Sequence, residues 1–357
     1  MKRNGKIELL RFLFSIGVLC LHIQKYIPGE VSLKNGIHFS FFPHGAIGVE
    51  FFFVLSGFLM AASVFFAKEE QKQLPLGTAT VRFISGKFTS LLPMRLMVFV
   101  VMFALTVFTE SWGFGTIVKK FISYIPGLFL VQMSGFGEGY INHIEWYLSA
   151  MLIGMFVIYP FLRKRFESFS KIVAPLVAVL VLGYMFQSYG RLTGVTAWEG
   201  LCYRSMLRAI AELCLGVACF AACQGLKEGK VTKAKRWLFT ALEIFCWGSV
   251  FVMMLLTLPR LYECYMLIFI AAGVICTFSG LSYGAKLFDN KVCFYLGKLS
   301  LPIYLCHLIP ITLVTACLDF LPLKQQMLIT FVSALVLAVL LHHASIAVAK
   351  GKKRKAG

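Results

Sequence analysis

The sequence predicts an all-α, polytopic integral membrane protein of about ten transmembrane helices, and three observations carry that expectation. Hydrophobic residues fill 59% of the 357 positions and charged residues 14%, with a mean hydropathy of +0.80, far from the composition of a water-soluble domain. The apolar residues fall into separate runs of roughly 20, the length needed to cross a hydrocarbon core about 30 Å thick. The 35 Lys and Arg sit in short clusters between those runs. There they act as topology signals and contacts to anionic headgroups, so the net charge of +19 does not point to a nucleic-acid partner.

In chain order the expected spans cover residues 9–27, 46–66, 90–109, 144–162, 172–188, 206–224, 237–256, 262–283, 299–319 and 326–349. The first carries Arg11 and His22 and is not followed by a small-residue cleavage site, so it is expected to stay in the protein rather than act as a signal peptide. A further apolar piece at 117–133 is short and interrupted by Pro126 and Gly127. If it does not cross, the segments on the N-terminal side hold 24 Lys and Arg against 8 on the other side; a crossing would reverse every later loop and destroy that asymmetry. The piece therefore reads as a short interfacial or re-entrant helix on the outer side, with both termini cytoplasmic. Residues 1–349 form one transmembrane domain and 350–357 a basic cytoplasmic tail.

Internal repeats are not visible, which weighs against an inverted-repeat transporter. Most of the eleven cysteines lie inside spans without a CxxC pair and read as small packing residues, so no metal site is expected. Cys202 and Cys264 lie near the outer surface, where they are candidates for a disulfide.

Polar residues inside the spans mark the chemistry. Arg11 and His22 are eleven positions apart in "LLRFLFSIGVLCLH", a spacing that returns to within roughly 20° of the same helix face about 16 Å further along. One face of one helix is thus polar at two depths. Arg11 alone can snorkel to headgroups and His22 can be a satisfied helix-end residue. Held neutral in the membrane, however, an imidazole is suited to take a proton. Glu50 opens the second span on the side of His22 and is the candidate carboxylate to orient it; His44, six residues earlier, is an alternative. Arg204, Arg208 and Glu212 form one stripe at four-residue intervals, Tyr304 and His307 lie one turn apart in the ninth span, and Glu145 and Trp146 begin the fourth.

Four segments then carry a resemblance. "LRFLFSIGVLCLH", "GVEFFFVLSGFLM", "IEWYLSAMLIGMFVIYP" and "GKLSLPIYLCHLIP" are similar, in order along essentially the whole chain, to the motifs of the acyltransferase 3 family of membrane O-acyltransferases. The chain corresponds to that family's minimal form, without an appended esterase-like domain. The resemblance implies an enzyme in a cell membrane, bacterial inner or plasma membrane. It would move an acyl group, usually acetyl, from cytoplasmic acyl-CoA to a hydroxyl of a cell-surface glycan or its lipid-linked precursor, with acyl-CoA as donor substrate and no bound cofactor.

The resemblance places His22 at the family's catalytic histidine. A sugar hydroxyl is a poor nucleophile until a base removes its proton, and a neutral imidazole can do so. At the donor end the family has two arginines three apart that are thought to meet the CoA phosphates; here "KFTSLLP" puts Lys87 at the first position and Ser90 at the second. Lys87 keeps one charge without the guanidinium fork, and Arg11, Arg82 and Arg95 are the other donor-side candidates. His44, Glu145, Trp146, Arg204, Arg208, Tyr304 and His307 are the candidates for the acceptor cavity. A glycolipid flippase or secondary transporter is the alternative function, because it too needs Arg, Glu and His within the membrane. The oligomeric state is open.

Overall fold

A computed structural model of the chain describes residues 3–28, 31–32, 38–39, 42–136, 140–192, 194–228 and 231–355. Lys34, expected in the first outer loop, and residues 356–357 of the basic tail lie outside the described residues. Helices dominate: α1 Gly5–Tyr26, α2 Ile47–Phe65, α3 Glu69–Lys72, α4 Leu76–Thr109, α5 Phe114–Leu128, α6 Trp146–Lys164, α7 Phe166–Ser168, α8 Ala174–Tyr189, α9 Arg204–Lys227, α10 Lys233–Leu255, α11 Tyr262–Ser279, α12 Ala285–Phe288, α13 Lys291–Cys306, α14 Leu308–Cys317 and α15 Leu323–Lys355. Two antiparallel pairs of two-residue strands, the 3-10 turns Gln132–Ser134 and His143–Glu145 and a π turn Phe169–Val173 complete the described structure. The strand pairs are β1 Val31–Ser32 with β2 His38–Phe39, and β3 Trp198–Glu199 with β4 Cys202–Tyr203.

Among the described residues nine helical segments are long and apolar enough to cross a membrane, and the bent pair α13–α14 makes a tenth. The bend is 47°, and the pair adds a tenth span when its two halves are taken as one. Its cause is local: Pro310 has no N–H to offer the Cys306 carbonyl four residues earlier, and its ring crowds that carbonyl. The neighbouring Leu305 carbonyl is held from outside the helix pair, accepting from the Asn142 amide at 3.0 Å. The ninth expected span is therefore two helices meeting at His307, not one.

The expected span at 90–109 is only the C-terminal part of α4, a continuous helix of 34 residues and about 51 Å. α5 matches the segment expected not to cross. It is not among the spanning helices, and Phe114, Val118, Phe121, Ile122 and Ile125 are exposed along it, as on a helix lying in the interface.

Helices approach closely where small residues allow it. A Cβ on Gly57 of α2 would lie 2.0 Å from the Leu213 carbonyl oxygen of α9, and one on Gly216 of α9 would lie 2.0 Å from that of Val54. These two glycines let the α2 and α9 backbones touch, a packing mode suited to lipid, where apolar side chains gain little by leaving their surroundings. α1 is fixed at its start by Asn4, whose side chain caps the Lys6 and Ile7 amides, and by Asp289, which accepts from the Gly5 amide at 2.8 Å. That anchors α1 against α13 and sets the depth of everything along its polar face.

Candidate functional site

His22 lies near the C-terminal end of α1, half-buried, with Nδ1 2.9 Å from the Val18 carbonyl oxygen. A carbonyl only accepts, so Nδ1 carries the proton of the neutral ring and Nε2 is left as the acceptor. Facing it is His307, at the break between α13 and α14. The two ring centroids are 4.8 Å apart. His307 is fully buried; its Nδ1 lies 3.1 Å from the Ile303 carbonyl oxygen, and its Nε2 has no hydrogen-bond partner. Tyr304, one turn before it, lies 6.1 Å away ring to ring, donates its hydroxyl to the Ile144 carbonyl and packs edge-on to Tyr147 at 5.7 Å.

A cavity lies on either side of this cluster. On the side of the N-terminus a cavity of about 250 Å³ is lined by Arg11, Ser56, Lys87, Ser90, Tyr147 and Tyr304. Two cations thus stand at one end of a space whose other end is the Tyr304 phenol. Arg11 is also 3.0 Å from Glu8, and the Lys87 ammonium lies 5.6 Å from the centre of the Phe83 ring. On the opposite side a cavity of about 280 Å³ is lined by Tyr26, Trp112, Lys120, Tyr124, Tyr140 and His143. Tyr26, one turn beyond His22, is 2.9 Å from His143 Nε2. Burial, reinforced by the Glu110 carboxylate, raises the Tyr124 phenol above its ordinary range. Burial and Tyr203 do the same for Tyr140. Both phenols therefore stay protonated and available as donors at neutral pH.

His22, His307 and Tyr304 are brought together as the sequence allows, and Arg11 and Lys87 share one cavity. The other expected partners are not brought to them. Glu50 does not orient His22: it is ion-paired with Arg208, because α2 and α9 are in backbone contact and turn their polar residues toward each other. Arg208 also reaches Glu212 at 3.3 Å and lies 5.3 Å from the centre of the Trp146 ring, so this group forms a buried charge cluster rather than a wall of either cavity. His44 is held by Glu263 at 3.6 Å and by the Leu258 carbonyl at 3.0 Å. Arg204 pairs with Glu199 at 2.6 Å and covers the Tyr189 ring at 3.4 Å, closing the β3–β4 hairpin.

Arg95 is likewise separated from the donor-side cations. Two turns beyond Lys87 on α4, it is buried and binds Glu145 at 2.6 Å, with its guanidinium also donating to the Gly127 carbonyl at 2.8 Å and the Leu128 carbonyl at 3.2 Å. The pair ties α4 to the end of α5 and the start of α6, and occupies both charges. Arg82 is exposed and lines neither cavity. Cys202 and Cys264 are both free thiols. Among the described residues no group of three or more His, Cys, Asp or Glu is arranged to hold a metal ion.

Sequence reasoning missed Tyr26, Trp112, Tyr124, Tyr140 and His143. Tyr26 was within reach, since it follows His22 by four residues on the same face. The other four lie in the segment 110–143, whose position over the bundle depends on tertiary contacts. A family model described as an acyltransferase domain matches residues 4–343, nearly the whole chain. No curated protein and no solved structure matches it.

Proposed function

The chain belongs to the acyltransferase 3 family and is a multi-pass membrane O-acyltransferase; from that premise we propose that it moves an acetyl group from cytoplasmic acetyl-CoA to a hydroxyl of a cell-surface glycan or its lipid-linked precursor, with His22 as general base. The observation that carries this reading is the position of His22. Its ring packs on His307, between Tyr304, which lines the cavity of Arg11 and Lys87, and Tyr26, which lines a cavity of aromatic rings and hydroxyls; His22 itself lines neither.

Each side suits one substrate. Cations at the inner cavity match the phosphates of an acyl-CoA. The outer cavity offers flat rings for the faces of sugar rings and phenol, threonine and carboxylate groups for their hydroxyls. An acceptor hydroxyl reaching Nε2 of His22 gives up its proton there, and its oxygen attacks the thioester carbonyl at the Tyr304 end of the inner cavity. The new C–O bond forms, the C–S bond breaks, and the departing thiolate takes up the proton that His22 removed. With ten crossings and the charge bias of the loops, both termini and the donor face the cytoplasm.

The test is thiol release from acetyl-CoA by the purified protein in the presence of a glycan acceptor, compared between wild type and His22→Ala at equal amounts in the membrane. Acceptor-dependent release by the wild type and its loss in the variant support the reading. Export of a glycolipid without any thiol release would replace it with a transporter.

A further inference from the structure

A second cavity on the side of the N-terminus, of about 670 Å³, is not used by the chemistry above. Lys72, Arg163 and Lys164 line it, over an apolar floor that includes Phe65, Leu74 and Phe166. Arg163 and Lys164 are adjacent at the end of α6. The Arg163 guanidinium is held by backbone carbonyls of the α3–α4 turn, at 3.1 Å from Lys72 and 3.2 Å from Leu74, with a third contact to Gln71. Carbonyls orient a cation but do not neutralise it. Among the described residues neither Arg163 nor Lys164 has a carboxylate partner, whereas Lys72 pairs with Glu69 at 2.7 Å. The site is thus a fixed positive charge beside two aromatic rings, Phe65 and Phe166, 5.4 Å apart and inclined at 45° to each other.

Its place in the fold specifies the ligand. The cavity and the Arg11–Lys87 cavity lie along the same three helices. Leu59 to Phe65 on α2, Met155 to Arg163 on α6 and Leu76 to Lys87 on α4 separate their lining residues by about 9, 12 and 16 Å of helix axis. Side chains lean toward the N-terminus of their helix. Lys87 therefore leans toward this cavity, which narrows the gap, while the Arg163 guanidinium stays at this cavity on its three carbonyls. A ligand filling both has anionic groups at two depths, a planar aromatic end outside and a thin arm inside.

We propose that this cavity receives the 3′-phosphoadenosine end of the acyl-CoA donor, with the 3′-phosphate on Arg163 and Lys164 and the purine against Phe65 and Phe166, while the diphosphate passes Lys87 and Arg11 and the pantetheine arm enters the inner cavity. The inference rests on the acyl-CoA reading of the function. It also gives the donor further cations in a chain where Ser90 stands in place of the second basic residue that the family resemblance implies. An anionic phospholipid would need the same charge but neither the aromatic floor nor the alignment with the inner cavity.

The experiment measures binding of CoA and of 3′-dephospho-CoA to the full-length protein in nanodiscs of zwitterionic lipid. The wild type is expected to bind CoA ~10-fold more tightly than the dephospho form. Arg163→Gln/Lys164→Gln should bind both with one weak affinity, and Arg163→Lys/Lys164→Arg should restore part of the difference. Lys164→Gln alone leaves the Arg163 contacts to the α3–α4 turn in place and should reduce the discrimination while the protein stays folded. Equal wild-type affinities for the two ligands would overturn the proposal, as would undiminished discrimination in folded Lys164→Gln and double variants, or variants changed only in their response to anionic lipid. Discrimination without any acceptor-dependent thiol release would instead leave this site standing and remove the catalytic reading.

Discussion

His22 and His307 are 285 positions apart in the chain, yet their rings lie 4.8 Å from centre to centre. The contact exists because α1 packs along α13 and because α13 breaks where His307 stands. Each ring turns Nδ1 to a carbonyl of its own helix, so the two leave their Nε2 atoms as acceptors. One of these, on His307, is sealed from solvent without a partner, while His22 is partly accessible. The accessible one is the base in the proposed reaction.

His22→Ala should lower acyl transfer by about 100- to 10,000-fold, the usual effect of removing a general base, with normal abundance in the membrane. Steady-state transfer and immunoblotting of the membrane fraction check this. Near-normal transfer at normal abundance would sink the assignment.

Lys87→Ala should raise the KM for acyl-CoA by about 10-fold or more with a small change in kcat, because the side chain lines the cavity proposed for the donor and a hydrogen bond to a charged group is worth about 1.5–3 kcal/mol. Varying donor and acceptor separately distinguishes this from loss of acceptor binding. The same assay on Arg82→Ala, an exposed residue outside the cavity, should show little change in donor KM.

Glu145→Ala should reduce folded protein rather than donor affinity. It strips the buried Arg95 of the one carboxylate that pairs with it among the described residues, and breaking a buried pair from one side typically costs about 3–5 kcal/mol. Arg95→Met/Glu145→Leu, which removes both charges, should recover much of the loss in thermal stability in detergent. A double variant as unstable as the single one would show that the pair contributes more than mutual neutralisation.

Single cysteines placed at Lys119 and Lys164 should label from opposite sides of the membrane in intact cells and inverted vesicles. Lys119 lies on α5 and Lys164 at the end of α6, and only a non-crossing α5 puts them apart. Labelling from the same side would make α5 a span and reverse the loops that follow.

The number and order of spans were legible in the sequence because hydropathy over some 20 residues depends on composition alone. The non-crossing α5 was legible because Pro126, Gly127 and the charge bias of later loops act locally or add up along the chain. Pairings were not. Glu50 faces His22 across one loop in sequence, but the close approach at Gly57 and Gly216 commits α2 to α9, and Glu50 goes to Arg208 with it. Arg95 looked free to serve a phosphate until α5 and Glu145 closed over it. The break at His307 had a signal in Pro310, although a proline within an apolar run is common enough in membranes that position alone does not tell a kink from a break.

The length of α4 makes the proposed donor entrance sensitive to bilayer thickness. About 51 Å of helix exceeds a hydrocarbon core of about 30 Å, and the excess is the stem from Leu76 to Ser90, which carries Arg82 and Lys87. In a thicker bilayer hydrophobic mismatch draws such a stem inward, and its cations then tilt or snorkel to stay at the headgroups. Lys87 shifts in the process relative to Arg11 on the shorter α1, which is pinned at its start by Asp289. Transfer by the same chain is therefore expected to vary with lipid chain length, by a route that no substitution in the catalytic cluster would remove.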